Sequence, residues 1–426
     1  MHDIKFIKNN PKVLDDSLLK RNLNPCSDQI ISLHDEYLGY LNKKQNLQEK
    51  KNFLSKQFSQ EKVDINEIKA QVQDIKRELE SLNQVAEIKI KELNNLLLNI
   101  PNILSDETPS GQSEDDNEIV KEIAILNEFN FEPKDHLTIA ENLNLIDYDA
   151  AIKISGSRFS VLKRDLAVLH RALINLMLDN NTKEFNYIEC IVPELVKPSA
   201  LEGTGQLPKF DEDLFQTNFN NLYLIPTSEV SLTNLHRESI INKKEMPIKY
   251  TTFTNCFRAE AGASGKDTKG LMREHQFGKV ELVTIAEPTE SRNELDKMIT
   301  CVESIIKKLS LPYRIIKLCS ADIGFSSSIT FDFEIWMPGQ NKFREVSSCS
   351  NCLDFQSRRM KTRLKDFDTG EIYFPHTLNG SSLAVGRLLI AILENFQNAD
   401  GSVQIPEVLT KYTNGLSKIS NNDQKI

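Results

Sequence analysis

The sequence is poor in cysteine and has no long apolar run. Its seven cysteines, in 426 residues, are an odd number without the spacing of a disulfide framework, which predicts reduced thiols in a reducing compartment. No segment is apolar enough to cross a bilayer, and the first ten residues lack the apolar stretch of a secretory signal. We therefore expect a cytoplasmic protein without a membrane segment.

Two common nucleotide-binding motifs and a zinc motif are also missing. The P-loop pattern fails because Gly265-Lys266 is followed by Asp267 and lacks the upstream glycine. No G-x-G-x-x-G turn follows a candidate strand, which excludes the usual dinucleotide-binding fold. The single C-x-x-C, Cys349 to Cys352, has no second ligand pair, so buried thiols are favoured there over a metal. Any nucleotide must therefore be held by another kind of site.

The chain is long enough to form two structural units, and its overall charge is negative. Hydrophobic residues make up 39% and charged residues 27% of the sequence, which is typical of a globular protein. The formal net charge of -9 argues against nucleic-acid binding over the whole surface, although a basic patch on one element stays open. The distribution of charge along the chain therefore decides whether such a patch exists.

Two heptad patterns occupy the region from about residue 28 to 100. Apolar residues recur at alternating spacings of three and four residues from Leu33 to Phe58, with two lysines in the series, and from Ile65 to Ile100. The short segment 63–66 between them predicts an antiparallel hairpin of two helices. About 30 residues per helix, at ~1.5 Å each, would form an arm roughly 50 Å long. Only one stripe of each helix is apolar, so the arm must project into water.

The first helix of this arm carries a cluster of basic residues. Lys43, Lys44, Lys50 and Lys51 lie close together, with only Glu49 to balance them. They could contact the phosphates of a nucleic acid, but from charge alone a solvated helix face is the simpler explanation.

A proline and a polar stretch separate the arm from the rest of the chain. Pro101 ends the second helix because proline lacks the amide proton, and residues 104–118 are typical of a linker. We therefore expect an N-terminal domain at 1–103 and a second domain at 119–426. There, a helical pattern at 162–178 alternates with strand-like runs at 187–192, 277–285, 313–318 and 329–336. Because regular βαβ repetition is missing, these runs predict an α+β fold with a largely antiparallel sheet.

The segment from Cys256 to Phe277 contains the densest group of reactive side chains. Two apolar runs flank a polar turn, which predicts a hairpin whose glycines keep the loop mobile. Lys266, Lys269 and Arg273 make this loop basic, which is typical of a site for a phosphate-bearing ligand. An exposed basic hairpin without a ligand remains the alternative if the segment is considered by itself.

The same segment resembles motif 2 of the class II aminoacyl-tRNA synthetases, in its seryl-specific form. Residues 379–387, running into 391–395, resemble motif 3 of that family, and residues 345–356 match the strand before it. Residues 187–193 resemble motif 1, the dimer-forming segment, and residues 227–229 resemble the loop that binds the amino acid. The resemblance covers essentially the whole chain, including the arm and the segment 204–210.

This resemblance implies a fold and a reaction. The fold would be the class II core, an antiparallel sheet flanked by helices, preceded by the coiled-coil arm. The reaction would activate serine with ATP to seryl-adenylate, release pyrophosphate, and pass serine to the 3′-terminal adenosine of tRNA(Ser), with tRNA(Sec) as a further acceptor where it exists. ATP is then a substrate and Mg²⁺ a cofactor. The family also implies a homodimer that binds tRNA across its subunits.

The resemblance further implies the site residues. The expected catalytic residues are Arg258, Glu281 and Arg387. Serine would contact Thr227, Ser228, Glu229, Glu281 and Ser381. ATP would contact Arg258, Ala259, Glu260, Phe277, Glu345, Val346, Ser347, Ser348 and Arg387, and Mg²⁺ would be coordinated by Glu345 and Ser348. The tRNA would contact Lys43, Lys44, Lys50 and Lys51.

Each of these roles has a physical reason. An arginine between the carboxylate of serine and the α-phosphate offsets their repulsion, and Arg258 matches that position. Phe277 matches the aromatic residue on which adenine stacks, and Arg387 matches the arginine that holds the γ-phosphate. A site that bonds the hydroxyl of serine rejects alanine, because its buried polar groups would be left unpaired.

The same residues are also compatible with purely structural roles. Singly, Glu281 could be a satisfied buried carboxylate, Arg387 could cap a helix and Phe277 could belong to the core. The whole chain could also be an inactive scaffold, or a ligase that loads a carrier protein instead of tRNA. The departures from the family are small: lysine replaces arginine at Lys266 and Lys269, and Ser382 stands where glycine is frequent.

Overall fold

The computed structural model describes residues 1–57, 65–123, 129–262 and 270–421. Its contacts divide the chain into two compact units, Met1–Ile103 and Leu104–Ile426. The turn at 63–66 and the loop with Lys266 and Lys269 lie partly or wholly outside the described residues. None of the described helices combines the length and the apolar character needed to cross a membrane.

The first unit is a helical domain with a long arm. Its helices are α1 (Ile4–Asn9), α2 (Pro11–Lys20), α3 (Ser27–Gln57) and α4 (Ile65–Leu98). Near its base the core contains Ile7, Leu14, Ile30, Leu93 and Leu97, all fully buried. Farther along the arm, Leu54 packs with Ile68, Ile75 and Leu79. The two long helices confirm the predicted coiled-coil arm, since Leu54, Ile68, Ile75, Leu79 and Leu93 follow the heptad series. Leu97 departs from the series, because it is buried in place of Leu96.

Among the described residues, the second unit contains eight further α-helices. They are α5 (His136–Asn142), α6 (Tyr148–Ser155), α7 (Arg164–Phe185), α8 (Pro198–Thr204), α9 (Glu229–Thr233), α10 (Ser291–Lys308), α11 (Phe355–Met360) and α12 (Val385–Asn395) among the described residues. Its strands are β1 (Glu118–Ile123), β2 (Ile188–Glu189), β3 (Leu195–Val196), β4 (Tyr223–Leu224), β5 (Ile240–Asn242), β6 (Ile248–Phe257), β7 (Gln276–Ala286), β8 (Tyr313–Lys317), β9 (Ile329–Met337), β10 (Lys342–Asn351), β11 (Arg363–Lys365), β12 (Ile372–Tyr373), β13 (His376–Ala384), β14 (Val403–Gln404) and β15 (Lys418–Ile419).

One eight-stranded sheet organises this unit. Its strand order is β1-β8-β9-β10-β13-β7-β6-β2. Every neighbouring pair is antiparallel except β2 and β6, which are parallel. Helices α7, α10 and α12 pack on the sheet and bury a continuous core of aliphatic side chains. The predicted α+β fold with a largely antiparallel sheet is confirmed.

The predicted hairpin corresponds to the adjacent strands β6 and β7 of this sheet. Strands β6 and β7 pair in register, so that Cys256 faces Phe277 and Thr252 faces Glu281. On the other side of β7, Ser381 of β13 faces Glu281. Motifs that lie about 100 residues apart in the sequence are thereby placed on adjacent strands.

The segment 104–118, predicted as a linker, is part of the second unit. Leu104 is buried with Ile316, Leu318 and Ile323. The hydroxyl of Thr108 donates to the carbonyl oxygen of Ser328 at 2.8 Å. The segment is polar in composition, but it packs against other residues of its unit.

Candidate active site

Two neighbouring cavities open beside strands β7, β10 and β13. The larger has a volume of about 650 Å³ and is lined by Thr227, Glu229, Arg258 and Glu260 together with the segment Thr204–Gln206. The smaller, of about 90 Å³, is lined by residues predicted for ATP and serine: Arg258, Glu260, Phe277, Glu345, Val346, Ser381 and Arg387. Arg258 and Glu260 line both cavities. The structure therefore gathers residues from the predicted motifs 2 and 3, the strand before motif 3 and the loop 227–229 around one arginine.

Arg258 is held at this shared wall by two contacts. Its Nε donates to the carbonyl oxygen of Pro226 at 3.2 Å. Its guanidinium lies over the ring of Phe277, 5.2 Å from the ring centroid, in a cation–π contact. Pro226 immediately precedes Thr227, so the same backbone segment positions the arginine and the loop that is predicted to bind the amino acid.

A pair of buried charged groups contacts Thr227 in the wall of the larger cavity. Lys279 and Glu281 are two residues apart on β7 and share one face of the strand, with Lys279 Nζ 2.5 Å from Glu281 Oε2. Lys279 also donates to the hydroxyl of Thr227 at 2.8 Å, and that hydroxyl donates to Glu281 at 3.3 Å. Burial raises the pKa of Glu281, while the charge and hydrogen bond of Lys279 oppose that shift.

Glu229 is a second buried carboxylate beside Glu281. Burial and the negative charge of Glu281 raise the pKa of Glu229 to about 7. Gln356 donates to Glu229 Oε1 at 2.6 Å, which opposes the shift by favouring the charged form. Two buried carboxylates therefore lie close enough to interact, the first paired with a lysine and the second with a neutral amide.

Arg387 and Glu345 are paired at the smaller cavity. Arg387 Nη1 donates to the carbonyl oxygen of Glu345 at 2.8 Å and lies 3.2 Å from its carboxylate. On the adjacent strand β9, burial and the charge of Glu345 raise the pKa of Asp332 well above its usual range, and Ser348 donates a hydrogen bond to it. Within the described part of the chain, Asp332 Oδ1 is buried without a hydrogen-bond partner. Side-chain oxygen atoms of Glu345, Ser348 and Asp332 are therefore concentrated beside the smaller cavity.

Comparison with known proteins identifies the family. The model of the seryl-tRNA synthetase N-terminal domain matches residues 1–104, and that of the tRNA synthetase class II core domain (G, H, P, S and T) matches residues 209–396. The serine–tRNA ligase of Ehrlichia ruminantium (strain Welgevonden) is 46% identical and covers 99% of this chain and 100% of its own length. The chain belongs to the seryl-tRNA synthetase family. The family that the motifs indicated is confirmed.

Further relatives from the same family also match nearly the full length of this chain. The serine–tRNA ligase of Brucella canis is 44% identical over 98% of this chain and 99% of that protein. The seryl-tRNA synthetase from Pyrococcus horikoshii, solved in complex with ATP, superposes with a TM-score of 0.91 at 34% identity, covering 98% of this chain and 99% of the other. The cytoplasmic serine–tRNA ligase from Naegleria fowleri, solved with AMP, gives a TM-score of 0.86 at 30% identity.

Some predicted residues lie behind the cavity walls. Ser228 is fully buried and accepts a hydrogen bond from the Thr254 hydroxyl at 3.1 Å. Ser347 donates to the carbonyl oxygen of Ser381 at 2.5 Å, which joins β10 to β13. The amide of Ala259 donates to the carbonyl oxygen of Asp213 at 2.9 Å. These contacts order the walls that the neighbouring site residues form.

Sequence reasoning missed several polar residues of the site. Lys279 could have been found, because a charged residue two positions before Glu281 in an apolar strand must share its face. Glu274 lines the smaller cavity, pairs with the Ser160 hydroxyl at 2.5 Å, and has its pKa raised by burial to about 7. Asp332 and Gln356 gave no comparable signal, since their partners are distant in the sequence.

The predicted tRNA-binding lysines lie on α3. Lys43, Lys44 and Lys50 are exposed, whereas Lys51 is half-buried. Lys43 Nζ lies 5.8 Å from the centroid of the Tyr40 ring. The exposed members are available to a ligand of the arm.

Proposed function

We propose that this chain activates serine with ATP and transfers it to tRNA(Ser). The observation that carries the proposal is Arg258, which lines both the cavity with the predicted serine residues and the cavity with the predicted ATP residues. A carboxylate entering from one side and an α-phosphate from the other would meet at its guanidinium. Arg258 can then bind both and stabilise the charge that builds on phosphorus during attack.

Serine recognition follows from Thr227 in the wall of the larger cavity and from the buried Glu281 to which it is hydrogen-bonded. Glu281 can pair with the ammonium group of serine and accept from its hydroxyl, and the Thr227 hydroxyl lies beside it. Ser381 faces Glu281 across the strand pair. Alanine has the ammonium group but no hydroxyl, so the polar groups that bond the serine hydroxyl would lose that partner, at a cost of about 1–3 kcal/mol. The pocket therefore favours serine over alanine by polar complementarity.

We further propose that Mg²⁺ binds at Glu345 and Ser348. No cluster of three or more His, Cys, Asp or Glu side chains suited to a metal was found in the described residues. Mg²⁺ nevertheless fits, because it commonly uses one or two protein oxygen ligands together with substrate phosphates. When bound, it would neutralise phosphate charge. Arg387, which pairs with Glu345 here, would hold the γ-phosphate.

The test of this function is serine-dependent pyrophosphate exchange without tRNA. ATP, Mg²⁺ and labelled pyrophosphate are incubated with the protein and with serine, threonine or alanine in turn. We expect exchange with serine and much slower exchange with the other two amino acids. A folded protein that exchanges with none of them would contradict the proposal and favour an inactive scaffold.

The arm favours tRNA over a carrier protein as the acceptor. Coiled-coil helices of 31 and 34 residues expose Lys43, Lys44 and Lys50 to solvent. Lysines on such an arm suit the phosphates of a long tRNA element, which we propose is the variable arm of tRNA(Ser). tRNA(Sec) is the further acceptor to test in the aminoacylation assay.

We expect the quadruple Lys43, Lys44, Lys50 and Lys51 to alanine variant to raise the Michaelis constant for tRNA by about tenfold or more, because phosphate contacts are lost. Pyrophosphate exchange should be unchanged, since it needs no tRNA. Aminoacylation at several salt concentrations measures the effect, which should weaken as salt increases. Alanine at Lys243 and Lys244, which pair with Asp366 and Asp368, is the control. Unchanged tRNA kinetics in the arm variant would contradict this role.

We also propose that the chain forms a homodimer through the β2 edge of the sheet and binds tRNA across its subunits. Ile188 and Ile191 are 59% and 100% exposed at that edge. Exposed apolar residues on an edge strand call for a covering partner, and motif 1 corresponds to this segment. Sedimentation velocity of the purified protein tests the proposal.

The seven free cysteines support a cytoplasmic location.

A further inference from the structure

Gln356 lies behind the wall of the larger cavity, near the start of α11. Its side chain is buried, with 1% of its surface exposed. The amide nitrogen donates to Glu229 Oε1 at 2.6 Å and to the carbonyl oxygen of Thr204 at 3.2 Å. The amide oxygen accepts from the Thr377 hydroxyl at 2.7 Å. Both donors and the acceptor are therefore used.

Two of these partners belong to the cavity wall itself. Glu229 and Thr204 both line the cavity. The Thr204 carbonyl also accepts from the Ser326 hydroxyl at 2.9 Å, and Ser326 lines the cavity as well. Gln356 thus joins the start of α9, the end of α8 and β13 at one buried point, although those segments are far apart in the sequence.

The charges around Glu229 explain why a neutral amide suits this position. The charged and titratable groups that act on Glu229 or respond to it are Glu281, Lys279, Arg258 and Cys352. Lys279 contacts Glu281 directly, so Gln356 supplies the close donor for Glu229. An amide donor stabilises the anion and fixes one carboxylate oxygen without adding charge. The other oxygen can then be offered to a ligand.

We infer that Gln356 is a positioning residue for serine, which acts by fixing the Glu229 carboxylate and the Thr204 backbone in the cavity wall. The inference rests on the proposed function and deepens it. Gln356 does not touch the nucleotide cavity, so its effect should fall on the amino acid and not on ATP. The hydrogen bond from Gln356 also favours the ionised form of Glu229, so serine binding should depend on pH.

Gln356→Met removes all three hydrogen bonds at nearly constant length. We expect the Michaelis constant for serine in pyrophosphate exchange to rise by about tenfold or more, the value for losing one hydrogen bond to a charged group. The Michaelis constant for ATP should change less than about twofold. Without the Gln356 donor the pKa of Glu229 rises, so the acid limb of kcat/KM for serine should move to higher pH. The serine deficit should therefore shrink as pH increases.

Gln356→Glu provides the opposite signature and a second route if the methionine variant does not fold. When protonated, the new carboxyl group can still donate to Glu229; when ionised, it adds a third negative charge beside Glu229 and Glu281. Its serine deficit should therefore grow as pH increases. Gln340→Met is the matched control, because Gln340 donates to the buried Glu394 at 3.2 Å in the same unit. We expect the control to leave the Michaelis constant for serine unchanged.

The outcomes separate this inference from the proposed function. A wild-type protein without serine-dependent exchange would remove the function itself. An active wild type whose folded Gln356 variants keep the serine Michaelis constant, or raise the serine and ATP constants in parallel, would overturn the positioning role. A selective rise for serine with opposite pH trends in the two variants would support it.

Discussion

Replacing Arg258 with alanine is expected to slow serine-dependent pyrophosphate exchange by about 100- to 1000-fold, the range for removing one preorganised donor at a reacting centre. Arg258 lines both cavities and lies over Phe277, so its loss removes the positive charge at the point where the two anionic substrates meet. Most of the loss should appear in kcat, because the guanidinium is needed most as charge accumulates on the phosphate.

Two variants control this result. Arg258→Lys keeps the positive charge but loses the planar fork, and should recover only part of the rate. Arg292→Ala removes an arginine that pairs with Glu107 and Asp296 on the surface of the same unit, and should exchange normally. If Arg258→Ala kept its rate within about tenfold of the wild type while folded, the guanidinium would not lie at the reacting atoms.

Local patterns explain why much of the fold could be predicted from the sequence. The heptad series reports which face of α3 and α4 is buried, and Ile68, Ile75 and Leu79 lie there as expected. The runs at 277–285 and 329–336 fall inside β7 and β9, because β-branched and aromatic residues in short runs suit a buried strand. By contrast, Lys44 occupies a seam position and is nevertheless exposed.

The candidate site could be predicted only where its residues belong to contiguous motifs. Arg258, Phe277 and Arg387 stand in recognisable segments, and the pairing of β6, β7 and β13 brings those segments together. Gln356 contacts Glu229, which is 127 positions away in the sequence, and Thr204, which is 152 positions away. No periodicity or spacing predicts such pairs, because they depend on how separate elements pack. The same reason hid the contact between Ser348 and Asp332.

Lys279→Met is expected to lower the free energy of unfolding by about 3–5 kcal/mol, the usual cost of breaking a buried ion pair by removing one partner. Glu281 would lose the lysine 2.5 Å away, and Thr227 would lose its donor at 2.8 Å. Chemical denaturation monitored by fluorescence or circular dichroism measures the loss. Serine-dependent exchange should fall with it, because Glu281 and Thr227 are the proposed serine contacts.

The pH dependence of that loss has a definite sign. Burial already raises the pKa of Glu281, and Lys279 opposes the shift, so the pKa must rise further in the methionine variant. A carboxyl group whose folded pKa exceeds its unfolded value stabilises the fold below the unfolded pKa and loses that contribution as pH increases through the folded pKa. The stability deficit of Lys279→Met should therefore be larger at pH 8 than at pH 5.

The double variant Lys279→Met with Glu281→Gln distinguishes the ion pair from simple packing. Replacing both charges removes the unpaired carboxylate, so stability should recover in large part and the pH dependence of the deficit should disappear. Exchange with serine should remain lost, since the glutamine cannot pair with the ammonium group. A double variant as unstable as Lys279→Met would mean that the lysine acts through its aliphatic packing. Recovery of stability without recovery of activity would mean that Glu281 binds the substrate and that Lys279 keeps the Glu281 carboxylate charged.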